Sequence, residues 1–351
     1  MQKTFDCPIC KSNTWKPIET YSYLRDDLTK TKHTRYSGLL RKLHIAGRAL
    51  LFAKPRKKVV HYDALSSYQK LRNRVIFNVW FKQNNEVQLD SIFCGICGFA
   101  CYTPRPDDVD IAKKYEYLKQ YEPDVGGQTG QDQYAKDLAS KRAARIYDTC
   151  SAYHTSEQVD ILDYGGGNGK LMIPFLENKH SCYLIDYNDH PLPGISKIGN
   201  DITSFHANAK FDVIICSHVL EHVSEISKLV NKLKDLLNPE GIIYAEVPQE
   251  IWAGLRIDAD PVTHINYFTK NSFVNLFLAN GFEILEKNQQ ISNYANAHME
   301  VIWVVAKPNS NNPASLLSAD TKEMLYPSRF YSSIKLFRLL IVPRLRKLLD
   351  R

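Results

Sequence analysis

Three groups of residues in this 351-residue chain have the types and spacing to do chemistry. The first lies in "VDILDYGGGNGKL", where an apolar run ends at Asp163 and Gly165, Gly167 and Gly169 follow at alternate positions, ahead of a helix expected from about Lys170. Glycines so placed let the chain turn tightly and let a ligand rest on bare backbone beside a helix N-terminus. The second is "SHVLEHV", in which His218, Glu221 and His222 spell the H-x-x-E-H order of one class of zinc peptidases. The third is two C-x-x-C steps, Cys7/Cys10 and Cys94/Cys97, which together offer the four thiolates of a tetrahedral zinc site.

The elements expected around these groups sort the possibilities. A phosphate-binding loop of the G-x-x-x-x-G-K-[ST] type would need glycine at Tyr164 and a hydroxyl at Leu171, so that reading fails. The dinucleotide fingerprint G-x-G-x-x-G is also not matched, because the loop runs G-x-G-x-G with an acid two residues before it. Beyond about residue 156, apolar runs of strand length ("VDILDYG", "SCYLIDY", "FDVIICS", "GIIYAEVP", "GFEILEK", "MEVIWVVAKP") alternate with helical segments, which implies a parallel sheet covered on both faces. The last two runs have no long helix between them and are expected to pair antiparallel. A peptidase would carry both histidines of its motif on one continuous helix. Here the strand-like "FDVIIC" runs straight into them, so His218 is expected at the strand end, with Glu221 and His222 in a helix that follows.

The order D-x-G-x-G-x-G at Asp163 to Gly169 resembles motif I of class I S-adenosylmethionine-dependent methyltransferases, and the likeness continues through "FDVI...VLEHV" to the end of the last strand-like run. The resemblance implies a Rossmann-like, doubly wound α/β sheet with a terminal antiparallel strand, and S-adenosylmethionine as cofactor. It also implies that the glycine loop cradles the methionine part, with Asp163 near the ammonium group. Asp186 in "YLIDY" corresponds to the acid that accepts both ribose hydroxyls, a task suited to the two oxygens of a carboxylate. Asp201 in "GNDI" corresponds to the contact with the adenine amino group, and Ser217 and His218 to residues lining the cofactor pocket. The ubiquinone-pathway O-methyltransferases resemble the same stretch, with an acid in place of His218 that shares a metal site with the E-H pair; His218 departs from that pattern.

Methyl transfer to an alcohol or carbon acceptor requires alignment of the acceptor and removal of a proton. His264 in "DPVTHINYFT" is the first candidate base, His218 the second, and Tyr267 a third participant; the competing reading is that His264 and Tyr267 pin the substrate loop to the body. Sugar C-methyltransferases, which also carry an N-terminal zinc module, have a related histidine segment, of which part is present here.

The N-terminal residues resemble a zinc ribbon pulled open, with a long insertion between Cys10 and Cys94. We divide the chain into a ribbon-like module at 1–105 with a basic insertion at about 20–90, a helical connector at 106–155, the cofactor-binding domain at 156–310 and a basic amphipathic tail at 311–351. Cys101 is an alternative ligand, while Cys150, Cys182 and Cys216 read as buried thiols. "CGICGFACYTPRPDDVDIAKKYEYLKQYE" resembles the C-x-x-C-G, P-x-P, Y-x-x-x-Y run of bacterial methyltransferases of surface-polysaccharide or sugar-nucleotide pathways, which implies a sugar acceptor carried on a nucleotide or a lipid.

The formal charge of +7 is unevenly spread: fourteen Lys or Arg against three Asp from Arg25 to Arg74, and seven against one from Arg329 to Arg351. Such segments suit a polyanionic partner or an anionic membrane surface, or are simply solvated faces. "RFYSSIKLFRLLIVPRLRKLL" has the composition of a helix lying on a membrane, interrupted by Pro343. No apolar run reaches the roughly 18 residues of a membrane span and "MQKTFDCPIC" lacks a secretory core. A cytoplasmic protein, peripheral at the inner membrane face if the tail binds lipid, is expected. Two alternatives stand beside a small-molecule methyltransferase. One is an RNA methyltransferase gripping phosphates with the zinc module and basic insertion, against which "SHVL" occupies the place of an N-P-P-Y-like loop. The other is a non-catalytic binding protein that has kept the fold, against which the intact glycine loop and Asp186 stand.

Overall fold

The structure, a computed structural model, describes residues 5–25, 57–60, 65, 67–121, 133–154, 156–201, 209–250, 261–294, 297–309 and 315–319. The centre of the basic insertion and the amphipathic tail lie outside these residues.

The N-terminal module has a sheet of its own. In chain order its elements are β1 (Trp15–Leu24), β2 (Lys57–Val60), α1 (Ser67–Val75), which runs into a π-helical turn at Ile76–Trp80, β3 (Glu86–Cys94) and β4 (Ala100–Thr103). β1 and β3 pair antiparallel from Trp15↔Cys94 to Leu24↔Glu86. That register brings the first Cys pair beside the second and closes the long insertion at its base, which is how knuckles far apart in sequence become neighbours. The insertion returns β2 to the same sheet, parallel to β1.

The connector holds α2 (Asp108–Lys119), started by a capping box between Asp107 and Asp110, and α3 (Gln133–Ser151). There follow β5 (Asp160–Tyr164), a 3-10 turn at Lys170–Met172, α4 (Ile173–Glu177), β6 (Ser181–Ile185), β7 (Ile195–Gly199), β8 (Phe211–Ser217), α5 (Ile226–Asp235), β9 (Leu237–Pro248), β10 (Asn266–Tyr267), α6 (Lys270–Ala279), β11 (Phe282–Tyr294) and β12 (Ala297–Pro308). Seven of these strands form one sheet in the order β11-β12-β9-β8-β5-β6-β7. β9, β8, β5, β6 and β7 are parallel, and β12 and β11 close the edge antiparallel, as the missing helix between them predicts. This is the doubly wound α/β sheet expected from the sequence. Because β5 has β6 on one side and β8 on the other, its C-terminal end is the point where the connections diverge and a crevice opens.

Burial explains the pattern. In β8 only Asp212 escapes full burial, as a strand covered on both faces demands. α5 buries Ile226, Leu229, Val230 and Leu233, a helical stripe, and leaves Lys228 exposed on the opposite side. β7 is absent from the sequence-based strand list: only Ile195 of its five residues is fully buried, so it carries little apolar signal.

The expected helix after "SHVL" is corrected. Residues 218–225 form turns and bends, and α5 begins only at Ile226. Glu221 and His222 therefore share no helical face with His218, and the peptidase arrangement does not exist. A second departure concerns β10, which leaves the large sheet and pairs antiparallel with β4 at Asn266↔Cys101 and Tyr267↔Ala100. The module's five-stranded sheet thus takes its edge strand from the other half of the chain. Among the described residues no helix is long and apolar enough to cross a membrane.

Leu233 is fully buried between α5 and the sheet. Leu233→Ala is expected to lower the unfolding free energy by about 2–5 kcal/mol, read as a shift of the urea midpoint with an unchanged slope.

Candidate active site

The crevice is built on β5 and the loop after it. Asp163 is fully buried, and a Cβ added at Gly166 would lie 2.0 Å from its Oδ2, so only glycine lets the loop fold over this carboxylate. Gly167, at φ +64°, has no described atom within 4 Å of where a side chain would start: it is the open floor of the crevice. Gly165 and Gly169 take the same left-handed backbone and close the turn on either side. Asp186, just past the end of β6, braces this loop. Its Oδ2 accepts the Gly167 N–H at 2.9 Å and its Oδ1 accepts the Asn188 N–H at 2.7 Å. A carboxylate has about four acceptor sites, so capacity remains for two hydroxyls. Asp201, half-buried beyond β7, accepts the Tyr187 hydroxyl at 3.3 Å.

Among the described residues, neither oxygen of Asp163 has a hydrogen-bond partner. Burial pushes its pKa up to about 7, with Arg142 opposing and Asp186 adding to the rise. An orphaned, buried carboxyl facing a bare-backbone cradle fits the ammonium group of an amino-acid ligand, and together with Gly167 and Asp186 it fits S-adenosylmethionine.

Beside it, Glu246 of β9 is fully buried and surrounded by donors. Arg142 Nε lies at 3.0 Å, Tyr244 Oη at 2.8 Å and Ser217 Oγ at 3.2 Å, and Arg145 Nη2 completes the set. Burial works against its ionisation, but His218 and the two guanidinium groups hold Glu246 far below the usual carboxylate range. Ser217, at the end of β8, also takes a hydrogen bond from Arg142. The residue placed on the cofactor wall by resemblance is thus part of this ionic knot. Arg142, Arg145 and Glu246 were not singled out in the sequence, because a helix-borne Arg pair and a mid-strand Glu look like ordinary surface charge until α3 docks on the sheet.

His218 sits in the left-handed region at φ +57°. Its Nδ1 is 3.2 Å from Glu221 Oε1 and its Nε2 is 3.6 Å from Glu246 Oε1. Burial alone would lower its pKa; the two carboxylates more than offset this and raise it. Glu221 is brought down to about 2 against the effect of burial, by His218 first and then His222 and His264. His222 donates Nδ1–H to the Thr263 carbonyl at 2.7 Å. Its burial, reinforced by His264 and Lys114 against Glu221, lowers it to about 4, so the ring is neutral at physiological pH.

His264 packs edge-on against His222, ring centroids 4.8 Å apart, and its Nδ1 is 2.7 Å from Glu250 Oε2. The fold therefore gathers His218, Glu221, His222 and His264 beside the crevice and adds Glu250, a residue that sequence reasoning passed over; its only signal was its place at the end of "VPQE". Donor atoms of Glu221, His222 and His264 lie within 4.8 Å of one another, a spacing from which an ion could be held by a small inward movement. Tyr267 stands apart from this chemistry: its ring is buried against Tyr102, and its hydroxyl donates to the His264 carbonyl at 2.9 Å.

At the far side of β10 the four predicted cysteines come together. Cys7 Sγ and Cys97 Sγ are 3.5 Å apart, Cys10 Sγ and Cys94 Sγ 3.4 Å, and all four sulfurs lie within 4.8 Å. Four sulfurs at about 2.3 Å from one ion in a tetrahedron are about 3.8 Å from each other. The thiols are unlinked by disulfides, and their arrangement fits zinc. Cys101 does not join them; it is buried on β4, with its pKa pushed up to about 12 by burial while Arg105 opposes. Cys150, Cys182 and Cys216 are buried free thiols, as expected.

Parts of the chain resemble known proteins. Residues 134–287 match the profile of a family described as a methyltransferase domain. A ubiquinone biosynthesis O-methyltransferase from Rickettsia canadensis is 26% identical over 103 residues, which cover 26% of this chain and 44% of that protein. The chain thus spans less than half the length of this curated relative. Among solved structures, a 1,6-didemethyltoxoflavin-N1-methyltransferase from Burkholderia thailandensis is 16% identical with a TM-score of 0.43, covering 60% of this chain and 96% of its own. The N-methyltransferase NodS from Bradyrhizobium japonicum is 14% identical with a TM-score of 0.42, covering 56% and 99%. Residues 134–287, a little under half of the chain, match a methyltransferase domain.

The raised pKa of Asp163 gives the site a pH signature. A cation is attracted above the folded-state pKa, where the carboxyl is ionised, and the attraction fades as pH falls through about 7. Affinity for S-adenosylmethionine is expected to weaken about tenfold from about pH 8 to about pH 6, and Asp163→Asn should flatten this dependence; isothermal titration calorimetry at both pH values measures it.

Proposed function

We propose that this protein transfers a methyl group from S-adenosylmethionine to a hydroxyl or carbon of a sugar carried on a nucleotide or a lipid. The observation that carries the reading is the open Gly167 floor braced by Asp186, with the orphaned Asp163 carboxyl behind it. When bound, the cofactor supplies a methyl group on a positively charged sulfur, so leaving group and driving force come with it.

The chain's own residues do the rest. Asp186 holds the ribose hydroxyls, Asp163 the ammonium group, the glycine loop the chain between them, and Asp201 the adenine edge. His264 takes the proton from the acceptor: with Nδ1–H given to Glu250 the lone pair lies on Nε2, and the carboxylate stabilises the imidazolium that forms. Neutral His222 packs against its ring and leaves no competing positive charge there. Tyr267 holds the backbone of this segment, and His218, tied to two carboxylates, orients Glu221 and the crevice wall. Zinc held by Cys7, Cys10, Cys94 and Cys97 fastens the module and takes no part in the transfer. The likeness of "CGICG" through "YEYLKQY" to polysaccharide-pathway methyltransferases supports a sugar acceptor.

Incubation with S-adenosylmethionine and a panel of nucleotide- and lipid-linked sugars, read by mass spectrometry, tests the acceptor; methylation of RNA alone would overturn it. Asp186→Ala is expected to abolish cofactor binding in calorimetry, and unchanged affinity would reject its role. His264→Ala is expected to lose at least about a hundredfold in turnover while keeping cofactor affinity. Metal analysis is expected to find about one zinc per chain.

A further inference from the structure

We infer that Arg105 is a positioning residue through which the four-cysteine cluster sets the geometry of the His264 segment; the inference rests on the reading of His264 as the base. Arg105 follows β4 and is 5% exposed. Taking a guanidinium out of water costs several kcal/mol unless its donors are used. Among the described residues no carboxylate forms a salt bridge with this one. Its donors go instead to three oxygens of the methyltransferase half: the Ile265 carbonyl at 3.1 Å, the Ser224 carbonyl at 2.9 Å and the Asn266 side-chain oxygen at 2.6 Å. Two of these acceptors belong to the residues directly after His264, and the third to the turn that follows His222.

On its other side Arg105 faces the cysteine knuckles. The guanidinium lies 5.7 Å from the ring of Phe99, next but one to Cys97, and 6.0 Å from that of Phe5, two residues before Cys7. Both rings pack on Trp15, whose indole N–H bonds the Phe5 carbonyl. Strand pairing at Trp15↔Cys94 sets the base of this contact, and the four sulfurs, within 4.8 Å of one another, hold the knuckle tips that Phe5 and Phe99 flank.

From Arg105 the constraint passes on through Asn266. Its amide nitrogen donates to the carbonyls of Leu220 and Val223, both at 2.6 Å, and so clasps the turn that carries Glu221 and His222. The backbone N–H groups of Ile265 and Asn266 bond the Glu221 carbonyl at 2.9 and 3.1 Å. Pairing of β10 with β4 fixes the same residues in register. His264 is therefore held in the backbone at its C-terminal side by a module that contributes nothing to the cofactor cradle. An apolar side chain would fill the space between the knuckles and β10, but only a planar fork of donors also fixes the angle of three oxygens.

The experiment uses the full zinc-loaded chain and Arg105→Met, which keeps much of the length but not the fork, with Arg105→Lys as the conservative variant. Imidazole nitrogen correlation spectra read His264 and His222, calorimetry reads S-adenosylmethionine affinity, and metal analysis reads zinc. We expect Arg105→Met to keep zinc and to keep cofactor affinity within about threefold, to displace both imidazole signals and to lose about a hundredfold in turnover; Arg105→Lys should recover part of both. Chelation of zinc from the wild-type chain should displace the same imidazole signals with cofactor affinity retained. Unchanged imidazole signals in a folded Arg105→Met, or in the zinc-stripped wild-type chain should the variant not fold, would overturn the inference, as would parallel loss of cofactor affinity. If His264→Ala proves fully active while the signals still follow Arg105, the coupling stands and the base assignment falls.

Discussion

Carboxylates buried at the ends of parallel strands dominate this structure. Asp163 and Glu246, on strands β5 and β9, and Glu221 just after β8 all lie where water cannot solvate them. A buried charge must be paired or neutralised. Glu246 is met by Arg142 and Arg145 from α3, and Glu221 by His218. Asp163 has the long-range influence of Arg142 but no hydrogen-bond partner among the described residues, and its pKa rises accordingly. Of the three it is the one left with both oxygens able to take a cationic partner.

The same requirement explains why α3 matters beyond packing. Its two arginines reach Glu246 and Ser217, so the helix ahead of the sheet is locked to the ends of β8 and β9 by charge-assisted bonds. Tyr244 and Trp303 stack beneath Arg145 and shield that contact from water. The crevice therefore has one wall anchored by ion pairs and a floor of bare backbone. Its remaining wall, with His222, His264 and Glu250, hangs on the edge of another sheet.

That arrangement joins the two halves of the chain more closely than a linker would. β10 is only two residues long, yet it completes the module's sheet while its neighbours Thr263 and His264 reach the crevice. Tyr68 and Arg72 of α1 both contact the Thr263 hydroxyl, and Lys114 of α2 donates to the Val262 carbonyl at 3.1 Å. Elements from the insertion and the connector thus converge on one short segment, and the four-cysteine cluster and the His264 segment flank one strand pair.

Much of this was legible in the residues alone. Alternating apolar and helical runs dictate a parallel sheet, glycines two apart after Asp163 dictate an open turn, and an acid at the end of the next strand falls beside that turn because parallel neighbours end together. Four cysteines in two knuckles declare a common site without saying how the long insertion between them allows it. Tertiary structure decided the rest, because it depends on which charges lose their water and which strands pair across long separations. Glu246 and Arg142 are ordinary polar residues until α3 packs on the sheet, and "SHVLEHV" reads as a helix start until backbone bonds from Ile265 and Asn266 hold it as a turn. Local sequence carries turn and strand preferences over a few residues, whereas the pairing of β4 with β10 sets Cys101 opposite Asn266 across most of the cofactor-binding domain's sequence, and so exists only in the folded chain.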